Sequence, residues 1–121
     1  MAYSPLASGL LSGNYTADTR FGEQDWRSKS SSHTGEDFTQ NISIVEQLKA
    51  LATQHNVTVA QLAIAYVLAN PALTSALVGV RNPEHILKAL PAVDAKLDEA
   101  TISSIREIAA NGARIEMPIN E

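Results

Sequence analysis

Two stretches of this chain carry groups that phosphate esters require, hydroxyls and glycines in one and a glycine with a fixed positive charge in the other. The first is Tyr3-Ser4-Pro5-Leu6-Ala7-Ser8-Gly9, followed by Gly13. Its serine hydroxyls and successive backbone amides, in a turn of small residues, can bind a diphosphate, and Tyr3 can stack on a planar ring. The same pattern also reads as a glycine turn at the entry to a helix. The second stretch is Val78-Gly79-Val80-Arg81-Asn82-Pro83-Glu84-His85. Gly79 permits close approach, Arg81 supplies a permanent charge, and a helix start adds partial positive charge, a set that suits a phosphate monoester. The plainer alternative is a capped helix with a solvated arginine. Each stretch follows a candidate strand, so both turns belong at the same end of a parallel sheet, where two phosphate-friendly loops fit a dinucleotide better than either fits alone.

The remaining chemistry-bearing residues form no constellation. His33, His55 and His85 lack metal-ligand spacing, and no metal site is expected. His33 falls in a polar loop and His55 near a helix end, a surface position. Asp94, Asp98 and Glu99 read as helix-flanking charges. Ser4 and Ser8 have no paired base, and no G-x-S-x-G motif is present.

The elements that must position the two turns follow from periodicity. Ala2-Tyr3-Ser4 reads as the tail of a strand stopped by Pro5, and Leu10-Leu11-Ser12 as a short turn framed by Gly9 and Gly13. Residues 14–41 are polar and carry Phe21, Trp26 and Phe38, so a long βα loop that packs down is expected there. Ile42, Val45, Leu48, Leu51 and Ala52 recur on one helical face, with His55-Asn56 as the stop. Thr58 with Gln61 three residues on is a capping box opening a second helix through Val59, Leu62, Ala63, Tyr66 and Val67. Asn70-Pro71 ends it. Ser75–Val80 is a continuous apolar run that fits a buried parallel strand. Asn82 caps a helix with Pro83 at its first position, interrupted near Pro91. Asp98 caps a last helix through Ile102, Ile105 and Ile108, closed by Gly112. Two strands with intervening helices make an α/β protein, predominantly helical. Two parallel strands alone leave both outer edges unpaired, which invites self-association.

Bulk properties bound the function. The 121 residues have room for one domain: a unit over residues 1–112, then an irregular tail over 113–121. Hydrophobic residues at 45% exclude disorder, and a net charge of −4 argues against a nucleic-acid partner. With no cysteine there is neither a disulfide nor a thiolate zinc site. No apolar run reaches the ~20 residues of a membrane span, and the N-terminus shows no signal-peptide pattern. A cytoplasmic location is expected.

Three motifs in order, Tyr3–Tyr15 (YSPLASGLLSGNY), Thr58–Asn70 (TVAQLAIAYVLAN) and Ser75–His85 (SALVGVRNPEH), resemble the C-terminal portion of an aldo-keto reductase. The resemblance covers roughly residues 1–110, and Phe21–Arg27 (FGEQDWR) is similar to a loop of a longer-chain bacterial-type subgroup. It implies the last two βα units of a (β/α)8 TIM barrel plus a C-terminal helix, an incomplete barrel that binds NADP(H). Ala2–Ser4 would be the seventh strand and Ala76–Val80 the eighth. Tyr3 would stack on the nicotinamide, and Ser4, Pro5, Leu6, Ser8 and Gly9 would cradle the pyrophosphate. Gly79 and Arg81 would sit near the adenosine ribose and its 2′-phosphate, with His85 close to that phosphate.

The same resemblance implies that no catalytic residue is present. The family's Asp, Tyr, Lys and His come from earlier strands and loops, and Tyr3, Tyr15 and Tyr66 match other positions. The family's Gly-Lys-Tyr reads Gly13-Asn14-Tyr15 here, and its adenine-contacting Glu-Asn pair falls on Lys88-Ala89. The expectation is the cofactor-binding part of a truncated oxidoreductase. NADPH and, in the full-length parent, a small carbonyl substrate would be its partners. The alternative is a non-catalytic interaction or regulatory fragment that docks or self-associates through its open sheet edges.

Overall fold

The computed structural model describes residues 1–113; of the irregular tail expected over 113–121, all but Ala113 lies outside them. Two short strands, β1 (Ala2–Tyr3) and β2 (Ala76–Leu77), pair in parallel, Ala2 opposite Ala76 and Tyr3 opposite Leu77. Between them run a polar loop and two helices, α1 (Gly35–Gln54) and α2 (Val59–Leu68); beyond β2 come α3 (Pro83–Ala89) and α4 (Glu99–Ala109).

The caps form where sequence placed them. Thr58 and Gln61 make the reciprocal capping box of α2, whose orphan amides are thereby satisfied. Asn82 accepts from the His85 amide with Pro83 at the first position of α3, and Asp98 accepts from the Thr101 amide at 2.8 Å to open α4. Asn56, at φ 57°, closes α1 in the left-handed conformation asparagine tolerates. A short 3-10 segment, Leu90–Val93, replaces helix at Pro91.

The core is helical. Ile44, Val45, Leu48 and Ala52 of α1 pack on Val59 and Leu62 of α2 and Ile105 of α4. A second cluster, Leu10, Phe38 and Ile42, joins the start of α1 to the turn after β1, with Ala7, Tyr15 and Phe21 against it.

Two expectations are corrected. α1 starts at Gly35 and not near Ile42, so the polar loop closes by residue 34. Phe38, Ile42 and Val45 continue one buried stripe, and Glu36 and Asp37 complement the positive end of the helix dipole. The polar residues between these apolar ones hid the first turns of the helix. The Ser75–Val80 run is not a buried strand: only Ala76 and Leu77 pair, and Leu77 and Val80 are exposed. A strand buried on both faces needs a layer above and a layer below; here α2 touches β2, yet Leu77 and Val80 stay open to solvent.

Candidate functional site

The turn after β1 is conformationally unusual. Ser4, Ala7 and Ser8 have φ of 54°, 48° and 55°, and Gly9 and Gly13 have 97° and 81°. Left-handed backbone in non-glycine residues costs about 1–3 kcal/mol each and persists only where the surroundings over-determine it. Local bonds supply part of that support: Ala7 N–H donates to Ser4 O at 3.0 Å, and Leu6 O accepts from both Gly9 (3.0 Å) and Leu11 (3.1 Å). Leu10, 2% exposed, anchors the segment in the second cluster. Glycine is obligatory at position 9 for two reasons. Its φ is positive, and a Cβ there would lie 2.5 Å from the Tyr15 hydroxyl oxygen.

The remaining support comes from the polar loop. Arg27 Nη1 donates to Tyr15 Oη at 2.6 Å and makes a long contact, 3.5 Å, with Ser8 O. Its Nε and Nη2 grip both oxygens of Asp25, which also accepts from the Arg27 backbone amide. The guanidinium lies over the Phe21 ring at 4.6 Å. Held by Arg27, the Asp25 carboxyl is pulled down to about 2; Arg81 adds a smaller pull of the same sign, so the charge of the second turn reaches the first loop.

His33 sits beneath this assembly, 1% exposed. Phe21 and Trp26 meet its ring edge-on at 5.6 and 5.5 Å. Its Nδ1 is 3.0 Å from Ser32 Oγ, which in turn is 2.8 Å from Ser30 Oγ, and Asn41 Nδ2 donates to Ser32 O. Its Nε2 has no hydrogen-bond partner of normal geometry among the described residues. Burial, then the Arg27 charge, lowers the imidazole pKa, while the Ser8 carbonyl opposes them. Because the folded pKa lies below the ordinary 6.5, the unfolded chain takes up the proton first. The stability the neutral ring contributes is therefore intact above 6.5 and lost as pH falls through the folded value. Melts of the native chain and of His33→Gln between about pH 7 and pH 5 should show the steeper decline in the native chain; parallel slopes would remove His33 from the pH response.

The residues expected at the site are placed as follows. Tyr3 and Ser4 are exposed at the end of β1, Pro5 is buried, and Leu6, Ser8 and Gly9 are half-buried along the turn. Gly79, Arg81 and His85 are exposed after β2, with His85 Nε2 3.3 Å from Asn82 Nδ2. Both turns leave the carboxyl ends of paired parallel strands. A Cβ on Gly79 would meet nothing within 4 Å, so the protein's own packing does not demand glycine there, whereas a closely approaching ligand would. A hollow of about 510 Å³, lined by Arg20, Phe21, His33, Thr34 and Phe38 among others, opens beside the start of α1 and not over the Ser4–Gly9 turn. Sequence reasoning missed Tyr15, Asp25, Arg27 and His33 as supporting residues; the available signal was the FGEQDWR motif, whose partners lie far along the chain. No group of His, Asp and Glu suited to a metal ion occurs among the described residues. No described helix is long and apolar enough to cross a membrane.

Comparison with known proteins places this arrangement. Residues 1–110 match the Aldo/keto reductase family, and the chain belongs to that family. It is 32% identical over 111 residues to an aldo-keto reductase of Schizosaccharomyces pombe described as NADP(+), covering 92% of this chain and 33% of that protein. It is 32% identical over 107 residues to an NADH-specific methylglyoxal reductase of Escherichia coli, covering 88% and 32%. A probable voltage-gated potassium channel subunit beta of Arabidopsis thaliana is 34% identical over 97 residues, covering 76% and 29%. A glycerol dehydrogenase from Gluconobacter oxydans superposes with a TM-score of 0.80 at 25% identity, over 99% of this chain and 36% of that one. The chain thus spans about one third of the length of its relatives.

Proposed function

We propose that these residues are the NADP(H)-binding C-terminal part of an aldo-keto reductase, the last two βα units of its barrel with the helix that follows. The observation that carries this reading is the strained Ser4–Gly9 turn at the carboxyl end of β1, beside the Gly79–Arg81 turn at the carboxyl end of β2. Tyr3, three-quarters exposed, would offer its ring to the nicotinamide. Ser4, Leu6, Ser8 and Gly9 would line the pyrophosphate with hydroxyls and amides, while Pro5, buried, would fix the direction of the turn. Gly79 would leave room for the ribose, and Arg81 and His85 would face its phosphate. The bound cofactor would supply hydride for reducing an aldehyde or ketone. The chain's own residues would hold and orient it.

Within these residues nothing matches the family's catalytic Asp, Tyr, Lys and His, so carbonyl reduction by the 121-residue chain alone is not expected. Melting with and without cofactor tests the binding reading. At a hundredfold excess over the dissociation constant, NADPH should stabilise the fold by about 2.7 kcal/mol. The same melt with NADH reads the preference between the two. A midpoint indifferent to both would overturn the reading.

A second reading rests on a different observation. Leu77 on β2, Val80 in the turn after it, Ile86 and Leu87 on α3, and Leu90 and Val93 on the segment that follows are all exposed apolar residues. Exposed apolar side chains in this number suit a docking face for protein. Light scattering that shows oligomers, with a melt blind to cofactor, would favour an interaction role.

A further inference from the structure

We propose that Arg27 is a positioning residue: it locks the Ser4–Gly9 turn through Tyr15 and the Ser8 carbonyl and is not itself a ligand for phosphate. The consequence for cofactor affinity rests on the binding reading above; the lock itself does not.

The distribution of its donors argues for the lock. A guanidinium has five N–H groups in a rigid fork. Here Nε and Nη2 face the Asp25 carboxylate, and Nη1 faces Tyr15 Oη and Ser8 O. The Phe21 ring covers one side, and the side chain is only 17% exposed. Asp25 therefore neutralises the charge at contact distance, leaving little of it for an anion outside. Arg81, in the turn after β2, is by contrast exposed.

The turn needs an external brace of this kind. Ala7 and Ser8 sit in succession in the left-handed region, where alanine and serine do not rest unaided. The Tyr15 hydroxyl oxygen lies 2.5 Å from where a Cβ of Gly9 would stand, so Tyr15 bears directly on the turn. Arg27 in turn holds that hydroxyl. Asp25, Arg27, Tyr15 and Gly9 thus form one chain of contacts from the polar loop to the strained backbone. Lysine could not replace Arg27, because a single ammonium cannot meet a carboxylate in the bidentate manner and reach a phenol on its other side.

Hydrogen exchange tests the lock without cofactor. The Gly9 and Leu11 amides both donate to Leu6 O and report whether the turn is closed. In Arg27→Met and Arg27→Lys these two amides should exchange about tenfold faster or more. Amides of the helical core, such as Leu48 and Leu62, should keep their native rates. Guanidinium ion at millimolar concentration should slow the exchange again in Arg27→Ala, which a general loss of packing would not allow. Tyr15→Phe, which removes one oxygen, serves where an Arg27 variant fails to fold, and should show the same local effect in smaller measure. NADPH titration of the same variants should show affinity weakened in step with the exchange rates. Unchanged Gly9 and Leu11 exchange in both Arg27→Met and Tyr15→Phe would overturn the proposal. So would an affinity lost in Arg27→Met with exchange unchanged, since Arg27 would then touch the ligand. Accelerated exchange with no NADPH binding by the native chain would uphold the lock and overturn the cofactor reading instead.

Discussion

Phe38→Ala is expected to lower the stability of the chain by about 3–5 kcal/mol, the range for removing a fully buried aromatic ring. Phe38 is 2% exposed and is among the largest fully buried side chains. It occupies the first turns of α1 and packs with Leu10 and Ile42, so it fastens the helix to the candidate cofactor turn. Its ring also meets Phe21 edge-on at 6.1 Å, and Phe21 meets Tyr15 and His33 in the same manner. Removing it leaves a cavity where loop, turn and helix converge. Small domains have a total stability of only about 5–15 kcal/mol, so much of the fold's margin would go with it. Trp26, the sole tryptophan, lies against His33 in this cluster and reports on it by fluorescence. Its emission should shift at lower denaturant in the variant. A native Trp26 transition in Phe38→Ala would mean the loop does not depend on this ring.

Leu62→Ala is expected to cost about 2–5 kcal/mol, through a different part of the structure. Leu62 is 2% exposed in the helical core, on the α2 face that packs on Ile44, Val45 and Leu48 of α1 and Ile105 of α4. Here the circular-dichroism melt should fall, because helix in a chain of this size is held by tertiary packing more than by propensity. If both variants lower the helical melt and the Trp26 transition together, the two clusters unfold as one unit. If Leu62→Ala left the helical melt unmoved, this core assignment would fail.

Features that depend on neighbours within four residues were legible in the sequence. Thr58 and Gln61, Asn82 and Pro83, and Asp98 each predicted a helix start, and each is one, because capping is settled by a side chain and amides two or three positions on. The apolar stripes of α1 and α2 were readable because 3.6-residue periodicity survives in the one-dimensional pattern. Both candidate turns also stand where expected, after the two strands that pair in parallel.

The support of the site was not legible. Arg27 reaches Tyr15 twelve residues back and Ser8 nineteen residues back, and nothing in local spacing selects those partners. His33 read only as a residue of a polar loop and is buried, because the aromatic residues scattered through that stretch converge on it only when the loop folds down. Ser75–Val80 looked buried and is half open, because burial of a strand is decided by what lies across its faces and not by its own composition. The sequence by itself thus determined where α2, α3 and α4 begin, which helix faces are apolar and which two turns follow the paired strands, since those properties are set by short-range geometry. The tertiary structure alone decided how the strained turn is braced, which imidazole is sealed from water and which apolar residues remain exposed, since each depends on contacts between segments far apart in the chain.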